Sequence, residues 1–216
     1  MGLLCALMLI SPVRADAGAR YIALTFDDGP SGRFTRRLLD GLKERDVKAT
    51  FLLCGYRIED YPKEAARIAA EDHEIGLHGY SHDPMNTMTE AQVRAEIQKT
   101  AALLPGSSPF LRPPGGKLNQ ATCTAAQKAG LAILSWSLDP KDWATDDADL
   151  ITARVVEKAK DGDVVLLHDM SDSSVTAALR IIDRLEARGF RFVTVSELAR
   201  IKGITLEPGK VYTRFP

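Results

Sequence analysis

The sequence predicts an α/β fold built on a parallel sheet. Short apolar runs alternate with amphipathic stretches across residues 20–203, no Ser/Gly/Pro-rich linker or low-complexity block interrupts them, and no internal repeat is visible. A length of 216 residues suits one large domain. Hydrophobic residues at 45% and charged residues at 26% exclude disordered, fibrous and polytopic membrane classes. Lys plus Arg (28) nearly cancel Asp plus Glu (29), giving a net charge of −1, so nothing drives broad capture of nucleic acid or anionic lipid. What remains is a compact enzyme or binding domain with a largely uncharged partner.

The chain opens on GLLCALMLI, residues 2–10, an uncharged apolar run too short to span a bilayer, which takes about 20 residues. It fits the core of a secretory signal peptide, with small residues Ala15 and Ala17 marking cleavage. Residues 1–17 are therefore expected to be a leader and 18–216 an exported domain, periplasmic or extracellular, free of the membrane once the leader is removed. Cys5 leaves with the leader. Cys54 and Cys123 lie in apolar settings without zinc-knuckle spacing; a disulfide between them is possible in an oxidising compartment, and buried free thiols are the favoured reading.

Strands are expected over residues 21–26, 49–54, 74–77, 131–136, 163–167 and 190–193, each brief and apolar as fully buried strands are. A helix over 33–45 places Phe34, Leu38, Leu39 and Leu42 on one stripe. One over 91–104 follows a Thr89-x-x-Gln92 capping box, and two more are expected over 150–160 and 175–188, the last stopped by Gly189. Such alternation suits an open doubly wound sheet or a small (β/α) barrel. In a barrel, reactive residues gather beyond the C-terminal ends of several strands.

The polar residues follow that rule. The strand ending at Phe26 runs into Asp27-Asp28-Gly29-Pro30, and adjacent carboxylates are costly unless a bound cation separates their roles. His78 and His82, four apart after the 74–77 strand, would lie on one side of a helical turn and could grip zinc. With Asp28 they would make a three-ligand site with one position open to water. Arg112 precedes Pro113-Pro114-Gly115-Gly116, where a guanidinium could orient a carboxylate and a backbone N–H face an oxyanion. Trp136 and Trp143 flank Asp139 and Asp142, and His168 tips a buried strand. In isolation each has a plain alternative: a turn, a surface histidine, an exposed loop, a core tryptophan. Jointly, three of the four histidines, the paired carboxylates and the Arg all fall just past strand ends. His73, in the charged stretch Glu71-Asp72-His73-Glu74, is read as solvated.

These motifs, in order from Thr25-Phe26-Asp27-Asp28-Gly29-Pro30 to Val193-Thr194-Val195-Ser196-Glu197-Leu198, resemble the polysaccharide deacetylase family, also called carbohydrate esterase family 4 or the NodB homology domain. The resemblance implies a single-domain, distorted (β/α)7 barrel, similar to a TIM barrel, that carries a divalent metal. Zinc is the expected ion, with cobalt, manganese or nickel able to replace it, and Asp28, His78 and His82 are the expected ligands. Asp27 would be the catalytic base, Arg112 its electrostatic partner and His168 the acid, tuned by Asp142 or Asp139. Gly115 would supply the oxyanion contact through its backbone, Leu166 would shape the acetyl pocket, and Trp143 would line the groove. Position 115 departs from many relatives, which carry a larger residue there, so the backbone oxyanion contact is expected to survive and a side-chain contact to the sugar is not implied.

The implied activity is metal-dependent removal of N-acetyl groups from N-acetylglucosamine-containing glycans, peptidoglycan or chitooligosaccharide, by a monomer. An O-acetyl esterase acting on acetylated xylan, and a non-catalytic glycan-binding relative, are the rival readings. The second rival usually requires a lost base or ligand, and none is lost here.

Overall fold

β1 (Arg20–Asp27) is the hub of the sheet in the computed structural model, which describes residues 18–104 and 106–216. The expected leader over residues 1–17 lies outside the described residues. From Tyr21 to Asp27 the strand is buried, because strands pair along both of its edges and apolar clusters cover both faces, Ile22, Leu24 and Phe26 in one and Tyr21 and Ala23 in the other. β2 (Thr50–Leu53) pairs along one edge. The other edge is shared: β7 (Phe190–Phe192) takes Arg20–Ile22 and β6 (Val164–His168) takes Ala23–Asp27. β3 (Glu74–Leu77), β4 (Phe110–Leu111), β5 (Ala132–Leu134) and β8 (Val211–Tyr212) extend the sheet from β2, every pair parallel.

Helices complete seven βα units. α1 (Arg33–Glu44) follows β1, α2 (Gly55–Asp60) and α3 (Pro62–Ala70) follow β2, α4 (Glu90–Ala101) follows β3, and α5 (Gln120–Lys128) follows β4. α6 (Ala148–Val156), α7 (Asp172–Glu186) and α8 (Val195–Ile201) follow β5, β6 and β7. This is the distorted (β/α)7 barrel, with β8 added beside β5. It stays partly open, since an isolated bridge from Leu138 to Val165 is what links the chain beyond β5 to β6. Among the described residues, no helix is long and apolar enough to cross a membrane.

The differences from the expected elements have local causes. β4 is two residues long between Pro109 and Pro113, too short to show a period. α3 starts on Pro62, whose preset φ suits a first helical position. α6 starts two residues before Leu150 because the Asp147 carboxylate accepts from the N–H groups of Asp149 and Leu150. α8 has a capping box, Thr194 with Glu197, that the sequence displays as T-x-x-E. The box expected at Thr89 and Gln92 is present at the start of α4. Leu38, Leu39 and Leu42 of α1 are buried as their spacing implies, while Phe34 is only half-buried. Cys54 and Cys123 are free; Cys54 is buried, and burial pushes its thiol up.

His73 is not solvated. It is buried, its Nδ1 accepts from the Ala49 N–H at 3.2 Å, and its ring meets Phe51 edge-on. Burial, with help from the Lys48 charge, lowers its pKa from 6.5 to about 4. The unfolded chain thus takes up this proton first as pH falls, so the stabilising effect of a neutral His73 is lost between pH 6.5 and about 4. The loss expected by pH 4 is about 3 kcal/mol. Urea denaturation of the wild type and of His73→Asn, which keeps an acceptor but does not titrate, checks it: the variant should show a shallower loss over that window.

Candidate active site

The site forms where β1, β3, β4 and β6 end. Asp27 and His168 are register partners on adjacent strands, and Leu77 pairs with Leu111, which brings His78 and Arg112 to one level just beyond. The Arg112 N–H donates to the Leu77 carbonyl at 2.9 Å, and His78 Nδ1 lies 2.7 Å from the Arg112 carbonyl. That contact makes Nδ1 the donor, so Nε2 offers its lone pair to the site.

Two adjacent carboxylates coexist because the backbone turns between them. Asp27 ends the strand, whereas Asp28 takes a left-handed conformation, φ 71°. Asp27 is buried against Arg112, with Nη1 donating to Oδ1 at 2.6 Å. The fully buried guanidinium is otherwise satisfied by Thr25 Oγ1 at 2.8 Å and by the Leu134 and Ser135 carbonyls at 3.3 and 2.9 Å. Such bonding is what makes a buried charge tolerable.

Asp28 faces the imidazoles instead. Its Oδ1 is 3.2 Å from His78 Nε2 and 3.0 Å from His82 Nε2. One donor atom from each of the three residues lies within 4.8 Å of the others. Asp28 Oδ1 is also buried without a hydrogen-bond partner, as an oxygen reserved for a cation would be. Two imidazole nitrogens and a carboxylate oxygen suit a divalent metal such as zinc, so the residues fit the ion. A helical turn is not what joins the two histidines. The loop after β3 is non-helical, with Gly79 at φ 79° and His82 at φ 65°, and this bend brings the rings to 5.2 Å.

His168 lies across from them, its Nε2 3.9 Å from Asp28 Oδ2. Of the two acids the sequence left open, Asp142 reaches it: Oδ1 is 2.8 Å from Nδ1, and Oδ2 accepts from the His168 backbone N–H at 2.8 Å. Asp139 is exposed, and its carboxylate accepts from the Lys141 N–H at 2.7 Å. Burial acts to lower the His168 pKa, but the bond and charge of Asp142, with Asp27 and Asp28, outweigh it and raise it from 6.5 to about 9. The imidazolium is therefore the favoured form at neutral pH.

Gly115 adopts φ 62°, and Gly116 packs so closely that an added Cβ would lie 2.7 Å from the Trp136 ring. Trp136 thus supports the Pro-Pro-Gly-Gly turn, with the Arg112 guanidinium 5.7 Å over its ring. Leu166 is buried on β6, in register with Thr25. Trp143 is 66% exposed, a large apolar face beside the buried Asp142. Two supporting residues are given no role by the sequence. Thr25, two residues before Asp27 and so on the same strand face, stands out only as a polar residue in an apolar strand. Asp169 is fully buried, bonded by Thr35 Oγ1, and its carboxylate fills the place a Gly29 Cβ would need. Burial raises the Asp169 pKa from 3.8 to about 6 despite the Thr35 bond.

Comparison with known proteins agrees with this architecture. Residues 14–134 match the family model described as polysaccharide deacetylase. A peptidoglycan-N-acetylglucosamine deacetylase of Bacillus cereus is 38% identical over 191 residues, 85% of this chain and 90% of its own. The structure of peptidoglycan deacetylase PdaC from Bacillus subtilis superposes with a TM-score of 0.82 at 33% identity, over 88% of this chain and 94% of that one. A family 4 acetyl xylan esterase from Clostridium thermocellum, in complex with a cobalt ion, gives 0.85 at 32%, over 91% of this chain and 100% of that one. With more than half the chain matched by the family model and the same barrel in its relatives, the chain belongs to the polysaccharide deacetylase family.

Proposed function

We propose that this protein is a zinc-dependent N-deacetylase of N-acetylglucosamine-containing glycans, releasing acetate and a free amine outside the cytoplasm. The observation that carries the reading is the Asp28, His78 and His82 donor set lying between a buried carboxylate, Asp27, and a charged imidazole, His168. Likeness to the Bacillus cereus deacetylase favours the N-acetyl substrate.

Amides resist hydrolysis because the carbonyl is weakly electrophilic and the amine leaves poorly. Asp28, His78 and His82 would hold a divalent ion, which would supply the Lewis acidity that polarises the acetyl group and acidifies water. Asp27, with Arg112 as its charge partner, accepts the proton of the attacking water. The Gly115 N–H faces the developing oxyanion, and Leu166 walls the acetyl methyl. His168, oriented by Asp142, passes its proton to the departing nitrogen. Trp143 offers its exposed ring to the sugar face.

The test is acetate release from chitooligosaccharide, peptidoglycan and acetylxylan by purified protein, before and after chelation and with zinc restored. Release from the N-acetylated glycans, abolished by chelator and recovered with zinc, is expected. Release from acetylxylan alone would make the protein an O-acetyl esterase, and none from any substrate with zinc present would make it a binding relative.

A further inference from the structure

Arg57 is a cation in search of an anion. It belongs to α2, which is tied to the histidine loop by Gly55 N–H donating to the Gly79 carbonyl at 3.0 Å and Tyr56 N–H to the Tyr80 carbonyl at 3.1 Å. Its Nη2 reaches Met170 Sδ at 3.8 Å, two residues past His168. Since β1 lies between β2 and β6, a side chain joining α2 to Met170 must cross the end of β1, where Asp28, Gly29 and Pro30 turn. Arg57 therefore stands on the rim of the site.

Its hydrogen bonds are not satisfied there. Nε is buried with no partner, and the one acceptor of Nη2 is a thioether, which is weak. Arg36, Arg45, Arg67, Arg112, Arg180 and Arg214 each meet a carboxylate. Arg57 meets none among the described residues; the other arginines without a carboxylate are surface-exposed or, like Arg20 and Arg154, donate to a backbone carbonyl. Nearby acids are turned elsewhere: Asp172 to Arg33 and Arg37, Glu59 to the Tyr80 hydroxyl, and Asp169 to Thr35 through Oδ2, its Oδ1 buried and not bonded to Arg57. What holds the guanidinium is aromatic, with the Tyr56 and Tyr61 ring centroids 5.4 and 5.8 Å away. The Tyr61 ring is itself packed against Gly32 at the start of α1, too close to leave room for a Cβ contact without shifting. The deacetylation chemistry makes no use of this charge.

We infer that Arg57 is an anion subsite on the groove rim that selects glycans bearing a carboxylate near the acetylated sugar, as the muramyl residues of peptidoglycan do. The inference rests on the deacetylase reading and sharpens its substrate. It also revises the expectation of a largely uncharged partner, because a near-zero net charge says nothing about one unpaired guanidinium beside the groove. A planar guanidinium with free N–H groups takes a carboxylate in preference to a neutral hydroxyl, and charge-assisted bonds are roughly twice as strong as neutral ones. Half-exposed Tyr56 beside it provides a ring on which a sugar can rest.

The experiment compares a peptide-free muramyl oligosaccharide with the same compound after amidation of its carboxylates, and a third arm retains the stem peptides. The readout is the ratio of kcat/KM for acid over amide, which is independent of the folded fraction of each preparation. In the wild type the acid should be favoured by about tenfold. Arg57→Gln should bring the ratio close to one through KM, and Arg57→Lys should restore most of it. Preference in the peptide-free arm assigns the carboxylate to the lactyl ether, and preference only in the third arm assigns it to the peptide. A wild-type ratio near one in both arms overturns the inference without any variant, as does an unchanged ratio in Arg57→Gln. No acetate from any of these substrates with zinc present would instead overturn the deacetylase reading.

Discussion

Asp27→Asn is expected to lower kcat on N-acetylated glycans by roughly 10²–10⁴-fold, the usual contribution of a positioned general base. Asparagine is the informative replacement. Its carbonyl can still accept from Arg112, so the buried guanidinium, bonded at 2.6 Å to Asp27 and also to Thr25, Leu134 and Ser135, is not left bare. An alanine would strand that charge in the barrel, which typically costs about 3–5 kcal/mol and would confuse lost folding with lost catalysis. Because Asp27 bonds Arg112 and lies outside the three-residue donor set, bound zinc per chain should not change. Acetate release under saturating substrate, with metal content measured on the same sample, checks both halves. A variant that keeps a tenth or more of wild-type kcat would remove Asp27 from the base position.

Asp142→Asn should cost about 10²-fold in kcat and also alter its pH dependence. The wild-type carboxylate uses both oxygens, one on His168 Nδ1 and one on the His168 backbone N–H, each at 2.8 Å. An amide can accept with only one of its two heteroatoms, so either ring orientation or backbone tie is lost. In the proposed role of proton donor, His168 works while protonated and loses function as pH rises through its raised pKa. Burial already works against the imidazolium, and Asp142 is first among the groups that overcome it. Removing that charge must therefore move the alkaline limb of kcat to lower pH. Equal limbs in the two proteins would mean that Asp142 does not support the ionisation that governs the rate. Asp139→Asn should leave the limb in place, since its carboxylate is exposed and turned to the Lys141 N–H.

Much of this site is legible in the amino-acid sequence, and the reason is topological. In a parallel barrel each functional side chain follows a strand end, so motifs scattered from residue 27 to residue 168 become one cluster once the strands are recognised as such. Apolar β1 announces itself, and so does Asp27-Asp28 at its end. His78, Arg112 and His168 can be placed in the same way, each immediately beyond or at the tip of a strand. Less legible are the parts whose logic is not periodic. The loop carrying His78 and His82 resembles a helical turn in spacing alone, yet left-handed residues at Gly79 and His82 bend it. Two-residue β4 leaves no pattern, and His73 has the sequence surroundings of a surface residue while its ring is buried against Phe51.

By itself the sequence determined the class of fold, the order of its elements and the inventory of reactive groups, because apolar periodicity and residue chemistry are local properties of a chain. Only the tertiary structure decided which groups meet. It chose Asp142 over Asp139, turned Asp28 away from Asp27, and left Arg57 without a carboxylate. The physical reason is the same in each case: a charge acquires its role from its neighbours and its burial, and both depend on strands that are distant along the chain and adjacent in space.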